Sequence, residues 1–169
     1  MAVSRRGRSE VTLAARGTQL VVVEAKLGSA LSAGTTRAPF FDQAARNVAC
    51  IAEVLHRAQR PPSSLQSLAF IVLAPARQIG PVVLPELLSK TSLRATVEQR
   101  IAMYSGESDE AAKRAWFEQA FLPLLELLVV EALSWESVLE KASALHPEAS
   151  ASLEAFYQQC LRFNPVVAG

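Results

Sequence analysis

Glu24 and Lys26 stand two residues apart at the end of an otherwise apolar run, Leu20-Val21-Val22-Val23-Glu24-Ala25-Lys26-Leu27. On a strand alternate side chains share a face, so this acid and this amine project the same way. Taking both out of water is costly unless they pair or bind something. A carboxylate in that place can ligate Mg²⁺, which takes oxygen ligands and keeps several waters. The amine can orient or help deprotonate an attacking water and offset the charge of a phosphorane. Such a pair suits metal-assisted phosphodiester hydrolysis. The same tripeptide also occurs as a plain solvated ion pair worth under ~1 kcal/mol, so its neighbours decide its meaning.

Residues 9–27 read as a β-hairpin: Ser9-Glu10-Val11-Thr12-Leu13 alternates, Arg16-Gly17-Thr18 supplies a turn, and the β-branched run follows. Residues 28–38 are small and polar and read as a loop. A helix is expected from Pro39, which suits a first helical position, to about Gln59, before Pro61-Pro62. Phe41, Ala45, Val48, Ile51, Ala52 and Leu55 form its apolar stripe, and Gln43, Arg46, Asn47, Cys50 and Arg57 its other face. Leu68 to Leu73 reads as a buried strand, parallel to the Val-rich one after a crossover through that helix. The architecture is therefore α/β.

The string S-E-V-T-L-A-A-R-G-T-Q-L-V-V-V-E-A-K-L, a small-residue loop and F-F-D-Q-A-A-R-N-V-A together resemble the PD-(D/E)XK nuclease superfamily, the restriction-endonuclease-like fold. The resemblance covers roughly residues 9–74. It implies a core of β-hairpin, crossover helix and parallel strand, with Glu24 and Lys26 as the E-x-K pair and Gln43 as the helix glutamine facing the site. It further implies a Mg²⁺- or Mn²⁺-dependent nuclease, most simply on DNA, with a homodimer open because many such enzymes cut both strands as dimers. The family's first acid should fall near Thr12. Glu10, on the same strand face, and Asp42, at the helix start, are the candidate replacements as metal ligands; Asp42 reads first as a favourable charge in a first helical turn. Arg46, Asn47, Arg16 and Arg37 are the candidate nucleic-acid contacts. The family's usual leading helix has no counterpart in the eight residues before this hairpin, an expectation that the chain starts late or has lost that helix. With Thr12 at the acid position, a catalytically degenerate member acting as a DNA-binding or protein-interaction module is the alternative.

The rest of the chain bounds these readings. Its 169 residues suit a single domain, with 9–74 as the nuclease-like core and 82–163 as a mainly helical part. Seventeen Lys+Arg against sixteen Asp+Glu give a net charge of +1, so nucleic-acid binding must rest on local patches. Arg5, Arg6, Arg8, Arg16, Arg37 and Arg46 concentrate in the first part. Two cysteines make neither a zinc pair nor a disulfide framework, which favours a reducing cytoplasmic setting. No apolar run approaches a membrane span, so no membrane partner is expected. Leu93, Val97, Ile101 and Tyr104 predict a helix capped by Thr91, and Ser108 opens another carrying Ala112 and Trp116. Leu127 to Leu133 reads either as a continued helix or as a further strand, and Val129 and Val130 before the helix cap Ser134 favour the strand. Two further helices are expected over 135–145 and 148–163.

Overall fold

The computed structural model describes residues 2–3, 11–81, 83 and 85–164. Two short strands, β1 (Ala2–Val3) and β2 (Val11–Thr12), pair with each other antiparallel. The central element is a three-stranded sheet of β3 (Gln19–Ala25), β4 (Ser67–Ala74) and β5 (Val129–Ser134), in that order and parallel throughout. Between β3 and β4 runs helix α1 (Gln43–Arg57), the crossover that a parallel pair demands. After β4 come α2 (Lys90–Ala102), then a continuous helical stretch of α3 (Glu110–Trp116), a π turn at Phe117–Phe121 and α4 (Leu122–Leu127). The widened turn precedes Pro123, whose ring cannot supply the N–H that a regular helix would use there. Helices α5 (Trp135–Leu145) and α6 (Pro147–Phe163) form a hairpin after β5.

One core joins the three-stranded sheet to α1, α2 and the α3–α4 stretch. On β3, Leu20 is buried and Val22 half-buried, while Val21 and Val23 on the opposite face are 50% and 51% exposed. The β4 residues Leu68, Phe70 and Val72 pack with the α1 stripe Ala44, Ala45, Val48, Ile51, Ala52 and Leu55. Leu93, Val97 and Ile101 of α2 and Phe117, Phe121 and Leu124 close the same cluster. Phe70 and Phe121 lie at its centre, both at 0% exposure.

The expected hairpin does not form among the described residues: β2 pairs with β1 and not with β3. The backbone about the turn is committed elsewhere. Arg60 donates to the carbonyls of Ala15 and Gly17, both at 3.2 Å, tying the turn to the α1–β4 connection. Thr18 offers its carbonyl to the N–H groups of Gln66 and Ser67, so β3 enters the sheet already in parallel register with β4. Glu10, the proposed partner acid of that hairpin, lies outside the described residues.

The crossover helix starts later than Pro39 suggests. Pro39 closes a turn instead: Gly34 donates to its carbonyl at 3.0 Å and Ala38 donates to Thr35 at 2.9 Å. Asp42, extended at φ −66° and ψ 174°, then caps α1 by accepting from the Ala45 N–H at 2.9 Å. At α2 the cap is Ser89, which accepts from Ser92, rather than Thr91, already inside the helix. Asp109, not Ser108, immediately precedes α3. The parallel strand β4, the strand β5, the cap Ser134 and the two last helices agree with the sequence reading, Pro147 opening α6 at its first position. No helix among the described residues is long and apolar enough to cross a membrane.

Candidate functional site

Glu24 and Lys26 emerge at the C-terminal end of β3, the end at which open parallel sheets place their ligands. Their side chains meet, Lys26 Nζ lying 3.0 Å from Glu24 Oε1, with 22% of the Glu24 side chain and 10% of the Lys26 side chain exposed. Two amides of the first turns of α1 complete the arrangement. Gln43 Oε1 accepts from Lys26 Nζ at 2.8 Å, and Asn47 Nδ2 donates to Glu24 Oε2 at 3.2 Å. Gln43 and Asn47 are four apart, so one helical face delivers both. Half-buried charges of opposite sign, each with a further hydrogen bond, meet the conditions under which such a pair is tolerated.

The backbone beneath the pair is clamped. The Lys26 N–H donates to the Leu73 carbonyl at 2.7 Å, extending the β3–β4 ladder past Ala25. The Lys26 carbonyl accepts from Trp135 Nε1 at 2.9 Å, and the Leu27 carbonyl from Gln78 Nε2 at 3.1 Å. Gln78 is 1% exposed, and its Oε1 has no partner among the described residues. The Trp135 indole N–H is thus a fastener for the strand end. Nothing in the local sequence announces Gln78, because its partner is 51 residues away.

The loop over the site is bound to α1 as well. Gln43 Oε1 also accepts the Ser32 N–H at 3.0 Å, and Gln43 N–H donates to the Ser32 carbonyl at 2.9 Å. Arg46 donates to the carbonyls of Ala33 (3.1 Å) and Phe41 (2.7 Å) and to Ser32 Oγ (2.8 Å). Its guanidinium therefore braces the loop while its charge stays without an acidic partner among these contacts. Leu31 and Ala38, both buried, pin the loop ends to the core side.

The structure thus brings Glu24, Lys26, Gln43 and Asn47 into one hydrogen-bonded cluster, with Arg46 on its border. Asp42 is beside it in sequence but gives Oδ1 to its capping bond. Thr12 is exposed on β2, which the sheet does not place next to β3. Arg16 sits in the Ala14–Gly17 turn and Arg37 in the Thr35–Ala38 turn, both exposed and neither part of the cluster.

A second fixed point lies where the α5–α6 hairpin joins the sheet. Glu136 accepts the Ala76 N–H at 2.9 Å and the Tyr157 hydroxyl at 2.8 Å, and the Tyr157 ring lies 6.2 Å from that of Trp135. Burial alone would push the Glu136 carboxyl up. Hydrogen bonds from its own N–H, Tyr157 and Ala76, with Arg77 nearby, outweigh that and hold it below its ordinary value of 4.5. Burial first, then the bond to Glu136 and its charge, pushes the Tyr157 hydroxyl up.

For a hard divalent cation the described residues supply one carboxylate, Glu24, whose two oxygens already serve Lys26 and Asn47. No group of three His, Cys, Asp or Glu suited to a metal gathers among the described residues. Mg²⁺ is commonly held by one or two carboxylates with waters and substrate phosphate completing its shell. Glu24 fits as one such ligand. A cation would reach it by displacing an amine or an amide hydrogen bond.

No family model matches the chain, and neither a curated protein nor a solved structure does.

Proposed function

We propose that the chain is a metal-dependent nuclease of the PD-(D/E)XK kind, hydrolysing phosphodiester bonds in DNA. One observation carries the reading: an acid and an amine two residues apart at the C-terminal end of a parallel strand, 3.0 Å from each other and both held by amides of the crossover helix. Glu24 would hold Mg²⁺ or Mn²⁺, with waters and the substrate phosphate completing the shell; Asp42 gives Oδ1 to its capping bond. When bound, the ion supplies charge that polarises the scissile phosphoryl group.

The chain's own residues do the rest. Lys26 Nζ, held by Gln43, donates a hydrogen bond to the attacking water and sets a positive charge beside the developing phosphorane oxygens. Gln43 positions Lys26, and Asn47 positions Glu24. Arg46, whose charge has no acidic partner among the described residues, faces a phosphate of the incoming strand. Cutting both strands would call for two copies.

A second reading is favoured by a specific observation: Glu24 is fully engaged within the protein, and Lys26 neutralises it. In that case the cluster is a structural polar knot, and the chain is a catalytically degenerate module that binds DNA or another protein. Mn²⁺ titration by calorimetry separates the two. The nuclease reading requires binding that Glu24→Ala abolishes; no binding by the folded parent favours the degenerate module.

A further inference from the structure

From the border of the Glu24–Lys26 cluster a cleft runs along the outer face of α1. It encloses about 530 Å³ between α1, α2 and α3, within the range of roughly 300–1,000 Å³ usual for small-ligand sites. Arg46 stands at its head, and Cys50 and His56 follow along α1. The facing wall carries Tyr104 and Trp116 above an aliphatic floor that includes Val97 and Ile101.

The charges in this cleft are unevenly compensated. Of its acids, Glu53 pairs with Arg57 on its own helix, and Asp109 lies 3.7 Å from Lys113. Among the described residues Arg46 bonds only to neutral oxygens of the loop. Arg100 bonds to the Tyr104 hydroxyl at 3.0 Å and to Met103 Sδ, both neutral, and lies 4.9 Å from the Tyr104 ring centroid. Among the described residues, two guanidinium charges therefore remain uncompensated in a cleft that also holds three large aromatic side chains, Phe41, Tyr104 and Trp116.

Aromatic rings beside cations are the chemistry that holds a base and its phosphate in single-stranded nucleic acid. A cleft of this volume admits a nucleotide and excludes a duplex. We propose that it takes single-stranded DNA adjacent to the scissile phosphate, a base lodging by Tyr104 and Trp116 and phosphates meeting Arg46 and Arg100. The substrate class is then a junction, flap or frayed end rather than uninterrupted duplex. This rests on the nuclease reading for its purpose, whereas the binding step stands without it.

The test is fluorescence anisotropy in EDTA, where no metal-dependent cleavage occurs, with a labelled oligodeoxythymidylate, a duplex of equal length, and dTMP as competitor. The single strand is expected to bind at least about tenfold tighter than the duplex. Tyr104→Ala should weaken it about tenfold, the scale of one lost base–aromatic contact. Cys50→Trp fills the cleft from an exposed helix position and should do the same without touching the core. Maleimide labelling of Cys50 should slow when the oligonucleotide is present, with Cys160 on α6 as the unprotected reference. Equal affinity for duplex, unchanged Cys50 labelling, or full competition by dTMP at oligonucleotide concentrations would each overturn the proposal. Single-strand binding without any cleavage under Mg²⁺ would uphold the cleft and sink the nuclease reading. Cleavage without strand preference would do the reverse.

Discussion

Gly34 is where one methyl group tests how firmly the loop holds the candidate site. A Cβ there would lie 1.8 Å from the Ala38 carbonyl oxygen and 2.5 Å from the Pro39 carbonyl carbon. Both are backbone atoms, so no side chain can swing aside, and the turn must open. Opening it breaks the Gly34–Pro39 and Thr35–Ala38 hydrogen bonds. At about 1 kcal/mol each, with backbone strain added, Gly34→Ala should cost about 2–4 kcal/mol. For a chain of this length that is a fall in Tm of about 4–16 °C. Gly80 and Gly106 give an internal scale. They have φ of +101° and +82° with nothing within 4 Å of an added Cβ, so alanine there meets only left-handed backbone strain, about 1–2 kcal/mol. At Gly28 the nearest atom is 3.7 Å away, and alanine should change stability by less than about 0.5 kcal/mol. Differential scanning fluorimetry of the four variants should rank Gly34 as the most damaging and Gly28 as the least. A Gly34→Ala variant as stable as Gly28→Ala would refute the close-approach argument and, with it, the described path of the loop.

Other expectations follow from single contacts. Asp42→Ala removes the α1 cap and should lower stability in urea by about 1 kcal/mol; an unchanged midpoint would mean that Asp42 has another role. Phe70→Ala, at the centre of the core, should cost about 3–5 kcal/mol, and a loss under 1 kcal/mol would contradict its placement. Glu136 ties α5–α6 to the sheet with a carboxyl held below 4.5. A depressed acid stabilises above its unfolded value and loses that contribution as pH falls through its folded one, so the hairpin should loosen only below about pH 4.5. Trp135 fluorescence should report this step and Glu136→Gln should flatten it; an identical acid profile in the variant would remove Glu136 from the account.

The sequence made regular, local features legible. The β-branched density of Leu20–Val23, the apolar spacing of α1 and the continuous run of β4 each reflect a pattern repeated within a few residues; both strands stand where expected, and α1 is in place but begins at Gln43 rather than Pro39. The Glu24–Lys26 pair was readable from strand alternation, and Gln43 beside it only from the family resemblance, which implies a helix glutamine facing the site. What escaped were hydrogen bonds between distant segments. Arg60 draws the turn at Ala15 and Gly17 toward the end of α1, which directs β3 to β4 and leaves β2 to pair with β1; no pattern inside residues 9–27 records that. The late start of α1 is of the same kind, for Pro39 fits a first helical turn as well as it fits the close of a loop. Only the contact with Gly34 decides between them. Arg46 illustrates the limit for function: its type suits a phosphate, and only the structure shows that three of its five N–H donors go to neutral oxygens of the preceding loop.

The central claim is that Glu24 and Lys26 form a hydrolytic site for phosphodiesters. A plasmid-nicking assay with Mg²⁺ and with Mn²⁺, the parent beside identically purified Lys26→Ala, tests it most directly. Nicking by the parent that is lost in the variant is the expected result. No nicking by a folded parent with either metal, or equal nicking by both proteins, would contradict it.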